Sequence, residues 1–426
     1  MVAVNKRKTT VKQGNVLFLT QVLPYPLVGG AKIRAYYAIR YLSQFHQITL
    51  VSFTRDDDNR EHIEHLEQYC QKVITVPIKR SRWTDYSSTA KSFITGHPAV
   101  IYRDDLVEMK QAITSILEAK RFDIVHCDQT AMAQFGIYAK KLMNAEQAYL
   151  VLDQHNALYM AVARQARSMA GWKHLLWKSE SARLARYEAN LIREFDSVLT
   201  VSDVDKEILL SLLDEEERAE LSPKLATVPI CVDPDERSYL DRSEATDTIA
   251  FLGTMYWPPN AEAVRWFAES TLPKVLDKVP TAKLVIIGKN PPANVMALES
   301  SNHTMNSHVQ VTGFVEDPEP LLQECAVFIV PMLAAGGMRV KILDAWMWGL
   351  PIVSTTIGAE GVDIRPGENI LIADDPEEFS DSIVKVLRSK QLANTLSVNG
   401  RKWVEEKYSW QEVYQEIGNV YRRLLA

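Results

Sequence analysis

Short apolar runs alternate with helical patterns along the whole chain. The runs are rich in β-branched residues and end at glycine, proline or polar positions, which is typical of buried strands. Their regular alternation with helices favours a parallel sheet and therefore an α/β fold. Strands are predicted at residues 16–19, 48–53, 73–78, 122–128, 151–156, 198–201, 226–228, 248–252, 283–288, 309–315, 327–330 and 352–354.

Amphipathic periodicity places helices between these strands. Residues 81–99 follow neither pattern, because they mix polarity with three aromatic side chains. Helices are predicted at residues 31–45, 61–71, 109–119, 171–195, 204–213, 261–268, 340–348, 376–387, 392–405 and 410–425.

The most informative stretch is one βαβ unit between residues 327 and 362. A buried strand leads into the small-residue loop 334–337, and the helix 340–348 is ended by Gly349. The strand 352–354 then leads into a second glycine loop. Ligands of open parallel sheets bind beyond the carboxyl ends of the strands, so both loops are predicted to border a binding site.

Two cations stand at the start of this helix. Arg339 and Lys341 lie where exposed backbone N–H groups and the helix dipole already favour an anion. A pair of cations there suits a doubly charged ligand such as a diphosphate. The alternative is that both are solvated basic residues on a helix surface.

This stretch resembles the donor-sugar loop of retaining glycosyltransferases of the GT-B fold, in the family 4-like group 1. It matches the sub-branch Gly-Gly-x-Arg-x-Lys-Ile-Leu-(Glu/Asp)-Ala, in which Asp344 is the acid that typically bonds the ribose hydroxyls of the donor. The family's first acid, eight positions earlier, is replaced by Gly336. The resemblance implies two Rossmann-like α/β/α domains that face each other across a cleft, with a C-terminal helix crossing back to the N-terminal domain.

The chain length supports this organisation, since 426 residues exceed the size of one hydrophobic core. We expect a disordered basic leader at 1–13 and an acceptor-binding domain at 14–234. A nucleotide-sugar-binding domain is expected at 235–407. Residues 408–426 are expected to form the helix that returns to the N-terminal domain.

Further donor-site residues are implied only by the resemblance. Its phosphate-binding Arg and Lys are missing from the loop 253–260, so we infer that Arg339 and Lys341 take over their role. Gly29 and Gly30 open a helix after the first strand and match a loop that approaches the donor phosphates. The predicted donor-binding set is Gly29, Gly30, Gly253, Asn260 (also expected to cap a helix), Val315, Gly336, Gly337, Arg339, Lys341, Asp344, Gly358 and Glu360.

Polar residues end two neighbouring strands of the first domain. His126 and Asp128 end one strand, and Asp153 to Asn156 end the next. Such strand ends are typical of the floor of a cleft, although a single histidine there is more often a core residue. The resemblance implies that Asp128 lies near the reacting sugar carbon, and we expect it to be catalytic together with Arg339 and Lys341. His126 lies earlier in the same strand and is expected to be structural.

Composition excludes several other classes. A net charge of −6 gives no sign of nucleic-acid binding, and four distant cysteines lack metal-ligand spacing. No signal peptide or membrane-spanning run is apparent, so we expect a cytoplasmic protein. Trp172 and Trp177 beside basic residues fit either an interior helix or peripheral association with the inner face of a membrane.

The sequence thus predicts a hexosyltransferase-type enzyme of polysaccharide or glycoconjugate biosynthesis. It would move a sugar, with retention, from a nucleotide-diphosphate-sugar donor to a saccharide or lipid-linked saccharide acceptor. No cofactor and no metal are expected, because cations stabilise the leaving diphosphate and no DxD-type motif is present. A sugar-nucleotide epimerase of the same fold and a non-catalytic sugar-nucleotide-binding protein are the alternatives.

Overall fold

The computed structural model describes residues 13–79, 82–143, 148–167, 169–299, 307–334 and 338–426. The leader predicted at 1–13, apart from its last residue, and the predicted donor residues Gly336 and Gly337 lie outside these ranges. The chain forms two compact units. Unit 1 contains the residues up to Cys231 together with Val413–Ala426, and unit 2 is Val232–Glu412.

Unit 1 contains a seven-stranded parallel sheet in the order β3-β2-β1-β4-β5-β6-β7. Strand order reverses between β1 and β4, which is the position where open sheets of this kind form a crevice. The strands are β1 (Asn15–Thr20), β2 (Gln47–Thr54), β3 (Lys72–Pro77), β4 (Ile124–Asp128), β5 (Tyr149–Gln154), β6 (Ser197–Thr200) and β7 (Leu225–Thr227).

Helices connect these strands, and several of them pack apolar side chains on the sheet. Phe53, Phe135 and Phe195 are among the large side chains that fill the core beneath them. The helices are α1 (Gly30–Leu42), α2 (Arg60–Glu67), α3 (Arg82–Thr95), α4 (Ala99–Arg103), α5 (Val107–Ala119), α6 (Ala133–Leu142), α7 (Leu158–Arg167), α8 (Trp172–Glu194), α9 (Asp203–Leu210) and α10 (Glu215–Leu221).

Unit 2 contains a six-stranded parallel sheet in the order β10-β9-β8-β11-β12-β13. Its strands are β8 (Thr246–Leu252), β9 (Lys283–Ile287), β10 (Val309–Gly313), β11 (Cys325–Val330), β12 (Ile352–Ser354) and β13 (Leu371–Ile372). The remaining helices are α11 (Pro258–Trp266), α12 (Leu272–Lys278), α13 (Ala293–Met296), α14 (Glu319–Gln323), α15 (Val340–Met347), α16 (Pro376–Arg388), α17 (Lys390–Tyr408), α18 (Trp410–Val413) and α19 (Gln415–Leu425).

The predicted fold class, two parallel α/β domains, is confirmed. The chain passes between the units after Cys231 and after Glu412, whereas the sequence placed these points after residues 234 and 407. Val232 explains the difference, because its N–H donates to Tyr408 O and its carbonyl accepts from Trp410 N. These bonds attach the first residues of the connection to unit 2. Among the described residues, no helix is long and apolar enough to cross a membrane.

Helix α15 ends as the sequence predicted. Gly349 has φ +71°, and the bonds from Gly349 N to Trp346 O and from Leu350 N to Ala345 O form a Schellman motif. The ring of Tyr239 covers this glycine so closely that a Cβ would overlap it. The turn therefore fixes both the helix end and the segment that enters unit 2.

We predict that Gly349→Ala lowers the free energy of unfolding by about 2–5 kcal/mol. Left-handed backbone costs alanine about 1–2 kcal/mol, and overlap with Tyr239 adds about 1–3 kcal/mol. Gly367→Ala is the matched control, since Gly367 has φ +82° and no neighbour within 4 Å of a Cβ. Urea denaturation of both variants measures the packing contribution as their difference. Equal losses would show that Tyr239 moves away without cost.

Candidate active site

The ends of β4 and β5 bring two carboxylates and a histidine together in unit 1. Parallel register places Asp128 directly beside Asp153, and both are fully buried. His155 follows β5, and its Nε2 lies 2.7 Å from Asp128 Oδ1. A partly exposed imidazole is therefore bonded to a buried carboxylate at the carboxyl edge of the sheet, where parallel sheets bind their ligands.

Asp153 has a different partner, the fully buried Arg34 of α1. Arg34 Nη2 lies 2.6 Å from Asp153 Oδ1, and Arg34 also donates to the carbonyls of Val228 and Pro229. Although burial opposes ionisation, Arg34 holds the pKa of Asp153 well below its usual range. Burial also lowers the pKa of Arg34, but the charge and hydrogen bond of Asp153, together with Tyr414 and Asp128, raise it above its usual value. Asp153 is thus a fixed anion that anchors Arg34.

His126 belongs to the same buried network. Its Nδ1 lies 2.9 Å from the hydroxyl of Tyr421 on α19, and its Nε2 lies 3.8 Å from Asp153 Oδ2. The ring also stacks on Phe18 at 4.1 Å. Side-chain ligand atoms of Asp128, Asp153 and His155 lie within 4.8 Å of one another, a spacing that could hold a metal ion. Asp153, however, already forms an ion pair with Arg34.

Glu188 is a site residue that the sequence analysis did not single out. Its carboxylate accepts the backbone N–H groups of Leu158 and Tyr159 at 2.9 Å each, and the side-chain amide of Gln154. These bonds fix the loop that carries His155. Burial raises the pKa of Glu188 to about 7, although the three donors oppose this shift. In sequence it looks like an ordinary solvated glutamate of a long helix.

A cavity of about 620 Å³ opens beside His155 in unit 1. Its wall mixes polar and apolar side chains, which suits a ligand that has both hydroxyl groups and apolar C–H surfaces. The lining residues are Gln21, Ser88, Thr89, Ala99, Val100, Arg103, Gln129, Thr130, Ala131, His155, Asn156, Leu158, Val162, Trp177, Glu180 and Leu184.

In unit 2, Lys341 folds over the end of β8. Its Nζ donates to Asn260 Oδ1 at 2.9 Å and lies 4.1 Å from the ring centroid of Phe251. A Cβ on Gly253 would lie only 3.0 Å from this Nζ, so glycine makes room for the cation. Burial, reinforced by the charge of Arg339, lowers the pKa of Lys341 to about 7. Near neutral pH this amine therefore exists both protonated and neutral.

Asn260 does not cap a helix as the sequence predicted. Helix α11 begins at Pro258, so Asn260 lies inside its first turn. Its Nδ2 donates to Thr254 O at 2.9 Å, while its Oδ1 accepts from Lys341. The side chain is therefore used to hold the glycine loop after β8 and the lysine together. Two prolines at the helix start explain the shift, because proline is favoured in a first turn.

Arg339 and Asp344 each face an oppositely charged residue. Arg339 is buried at the N-terminal boundary of α15, and its Nη2 lies 3.8 Å from Glu360 Oε2. Asp344 Oδ1 lies 3.3 Å from Nη2 of Arg237, a residue that the sequence analysis missed. Burial raises the pKa of Asp344, and Arg237 and Lys341 oppose that shift. The Arg237 guanidinium also stacks 4.3 Å from the Trp348 ring.

The other predicted donor residues are placed as follows. Gly358 packs so closely on Val330 O that a Cβ would overlap it. Val315 is partly buried just beyond β10. Gly29, with φ +92°, precedes Gly30 at the start of α1, and both belong to unit 1. Unit 2 thus unites Gly253, Asn260 and Lys341 in one contact set and Arg339 with Glu360 in another.

Two family models match the chain. The model described as Glycosyltransferase Family 4 matches residues 28–236, and the model described as Glycosyl transferases group 1 matches residues 246–389. The first covers most of unit 1 and the second lies within unit 2.

Relatives and solved structures agree with these matches. A protein of the Klebsiella pneumoniae cps region is 21% identical over 410 residues, which are 94% of this chain and 98% of that protein. The Staphylococcus aureus capsular polysaccharide biosynthesis glycosyltransferase CapM is 27% identical over 156 residues, 35% of this chain and 40% of CapM. Anabaena HepE in complex with UDP superposes with a TM-score of 0.65 at 13% identity, over 95% of this chain and 99% of HepE. TarM superposes with a TM-score of 0.66 at 12% identity, over 97% and 99%.

These comparisons identify the class of protein. The two parallel α/β units have the GT-B fold. Given a glycosyltransferase family model on each unit, the chain is a glycosyltransferase similar to family 4.

We predict that Glu188→Gln changes how stability depends on pH. The folded protein holds the Glu188 proton more tightly than the unfolded chain, so the free energy of unfolding falls as pH rises from about 4.5 to about 7. The loss is on the order of 3 kcal/mol, at 1.36 kcal/mol per pKa unit. Glutamine cannot ionise, so the Glu188→Gln variant does not show this pH-dependent loss of stability. Denaturation at about pH 5 and about pH 8 measures the effect.

The control for this measurement is Glu194→Gln, an exposed glutamate of the same helix. Relative to wild type, Glu188→Gln should become less destabilising as pH rises, whereas the offset of Glu194→Gln should stay nearly constant. Parallel pH profiles for wild type and Glu188→Gln would mean that this carboxyl does not titrate in that range.

Proposed function

We propose that this protein transfers a hexose from a nucleotide-diphosphate-sugar donor to an acceptor hydroxyl, with retention at the anomeric carbon. The observation that carries the proposal is the pair Arg339 and Lys341 at the start of α15, beyond the carboxyl end of β11. The likeness to HepE in complex with UDP and with UDP-glucose supports a nucleotide-sugar donor. CapM, by its name a capsular polysaccharide enzyme, supports a role in polysaccharide biosynthesis.

The chemistry follows from the charge on the leaving group. A departing diphosphate gains negative charge as the glycosidic bond breaks, so cations aimed at it act more strongly in the transition state than in the ground state. Arg339 can bond two oxygens at once, and Lys341 supplies a compact charge. We propose that these two residues stabilise the departing diphosphate without a metal ion. Asp344 accepts hydrogen bonds from the ribose hydroxyls, and its ion pair with Arg237 holds it in position for them.

Unit 1 receives the acceptor in this proposal. The cavity beside His155 has the size for a saccharide unit, and Asp128 holds the imidazole at its edge. Asp128 with His155 orients the attacking hydroxyl or stabilises positive charge at the sugar carbon. The acceptor is a saccharide or a lipid-linked saccharide. The relatives give no support to the epimerase or to a non-catalytic binding protein, since CapM carries a transferase name.

Alanine substitution of the two cations tests the proposal. Arg339→Ala and Lys341→Ala should each reduce kcat/KM by a factor that corresponds to about 2–4 kcal/mol of lost transition-state stabilisation, as for the loss of one preorganised donor. The double variant should lose less than the sum, because both residues act on one diphosphate. Lys385→Ala, on the exposed surface of α16, is the control and should behave as wild type. Wild-type kcat/KM in both variants would place the diphosphate elsewhere.

The pKa of Lys341 provides a second readout that does not need the acceptor. A bound diphosphate favours the protonated amine, so nucleoside diphosphate binding at about pH 8 should take up close to one proton. At about pH 6 the amine is already protonated and uptake should vanish. Calorimetry in buffers of different ionisation enthalpy measures this number. Lys341→Met should bind without uptake, and uptake that persists in Lys341→Met would assign the proton to another group.

Asp128→Asn tests the acceptor side separately. The amide keeps the shape of the side chain but removes the charge beside His155, so turnover should fall by about 100-fold or more, while donor affinity stays within a few-fold. The matched control is Asp123→Asn at the opposite end of β4, where the carboxylate accepts Asn15 N at 2.7 Å. That variant should lose stability and retain turnover. Undiminished turnover in Asp128→Asn would remove this residue from the mechanism.

A further inference from the structure

Helix α3 exposes its apolar face and buries polar side chains. Trp83, Tyr86 and Ile94 are spaced so that they share one helix face, and they are 83%, 70% and 85% exposed. The opposite face buries Ser88 and Ser92. A surface helix normally buries its apolar side, so an outward apolar stripe of this kind marks a face that contacts something other than water.

Two apolar side chains in the first turns of α8 are exposed as well. Trp172 is 71% exposed and Leu175 is 67% exposed. The two helices are held together further along, where Ser92 Oγ donates to Glu180 Oε2 at 3.2 Å. We name the five exposed side chains Trp83, Tyr86, Ile94, Trp172 and Leu175 the outer α3–α8 surface.

Positive charge accompanies this surface. Residues 157–178 contain four Lys or Arg and no Asp or Glu, in a chain whose net charge is −6. Lys173 and Lys178 of α8 and Lys91 of α3 are exposed. Aromatic rings flanked by lysines match the boundary between lipid headgroups and acyl chains, where rings with an apolar body and a polar edge are enriched.

We propose that the outer α3–α8 surface docks on a bilayer that contains anionic lipids. The exposed rings would enter the headgroup region, and the lysines would contact the anionic headgroups. A second copy of the chain fits less well, because a two-fold interface would bring the same lysines of both copies together. The attachment is superficial, since none of the described helices is long and apolar enough to span a membrane.

Docking would also bring the cavity of unit 1 to the lipid. Ser88 and Thr89 of α3 line that cavity from the inner side of the helix, and Trp177 of α8 lines it as well. Part of the cavity wall is therefore formed by the same pair of helices that would meet the bilayer. A lipid-linked acceptor could then reach His155 without leaving the membrane surface, and this consequence rests on the proposed function.

Co-sedimentation with vesicles tests the docking itself. Wild-type protein should sediment with vesicles of phosphatidylcholine and phosphatidylglycerol and should remain in the supernatant with phosphatidylcholine alone. Added salt should weaken the binding. The double variant Trp83→Ser/Trp172→Ser should bind at least about tenfold more weakly, because it loses two interfacial rings. Tyr149→Ser, at the exposed start of β5, is the matched control and should bind as wild type.

Charge is tested in the same assay. Lys173→Glu/Lys178→Glu should weaken binding by about fivefold for each unit of charge removed. Lys385→Glu, in unit 2, is the control for net charge. Quenching of wild-type tryptophan fluorescence by brominated lipid, and weaker quenching in the double tryptophan variant, would locate the rings in the bilayer.

Three results would overturn the proposal. The first is wild-type protein that stays in the supernatant with phosphatidylglycerol vesicles. The second is equal binding by the tryptophan variant. The third is a wild-type dimer in analytical ultracentrifugation that Trp83→Ser/Trp172→Ser converts to monomer, which would assign the surface to a second copy. None of these measurements needs sugar transfer, so a failure here is distinct from a failure of the proposed activity.

Discussion

The ion pair between Arg34 and Asp153 is the interaction on which most of unit 1 depends. Removing one partner from such a buried pair leaves an uncompensated charge, which typically costs about 3–5 kcal/mol. Here that charge also holds the carbonyls of Val228 and Pro229, and the Tyr414 hydroxyl donates to Arg34 O at 2.8 Å. Helix α1, the end of β5, the exit of β7 and the C-terminal segment therefore keep their positions together. The positions of Asp128 and His155 depend on these contacts.

Unit 2 organises its charges differently. In unit 1 the buried cation has a carboxylate in contact, whereas Lys341 contacts an amide oxygen and an aromatic face. Neither group neutralises an ammonium fully, which is why burial lowers the pKa of this lysine. A preformed carboxylate there would repel an anionic ligand. The weakly compensated lysine instead favours a ligand that brings its own negative charge, while Arg237 pairs with Asp344, one turn further along the same helix.

The sequence predicted β1 to β12, because buried parallel strands are continuous β-branched runs and need no knowledge of distant residues. It did not predict β13, which has only two residues. Gly349 likewise marked the end of α15 locally. The prediction was wrong for Asn260, where two prolines start the helix earlier. Helix α3 was not recognised because its sequence mixes polar and aromatic residues and is rich in Ser and Thr, which favour a helix only weakly. Glu188 and Arg237 were missed because their roles come from contacts with residues far away in sequence.

Unit 2 is inserted within unit 1, since residues 413–426 return to the first sheet. On the ribosome, the whole of unit 2 is therefore synthesised before Tyr414 and Tyr421 exist. During that interval Arg34 O lacks its tyrosine donor, and His126 lacks the hydroxyl that it contacts in the finished protein. Unit 2 can complete its own core first, because domains fold as units during synthesis. Unit 2 can thus mature early, and unit 1, which carries Asp128, becomes complete only when α19 docks.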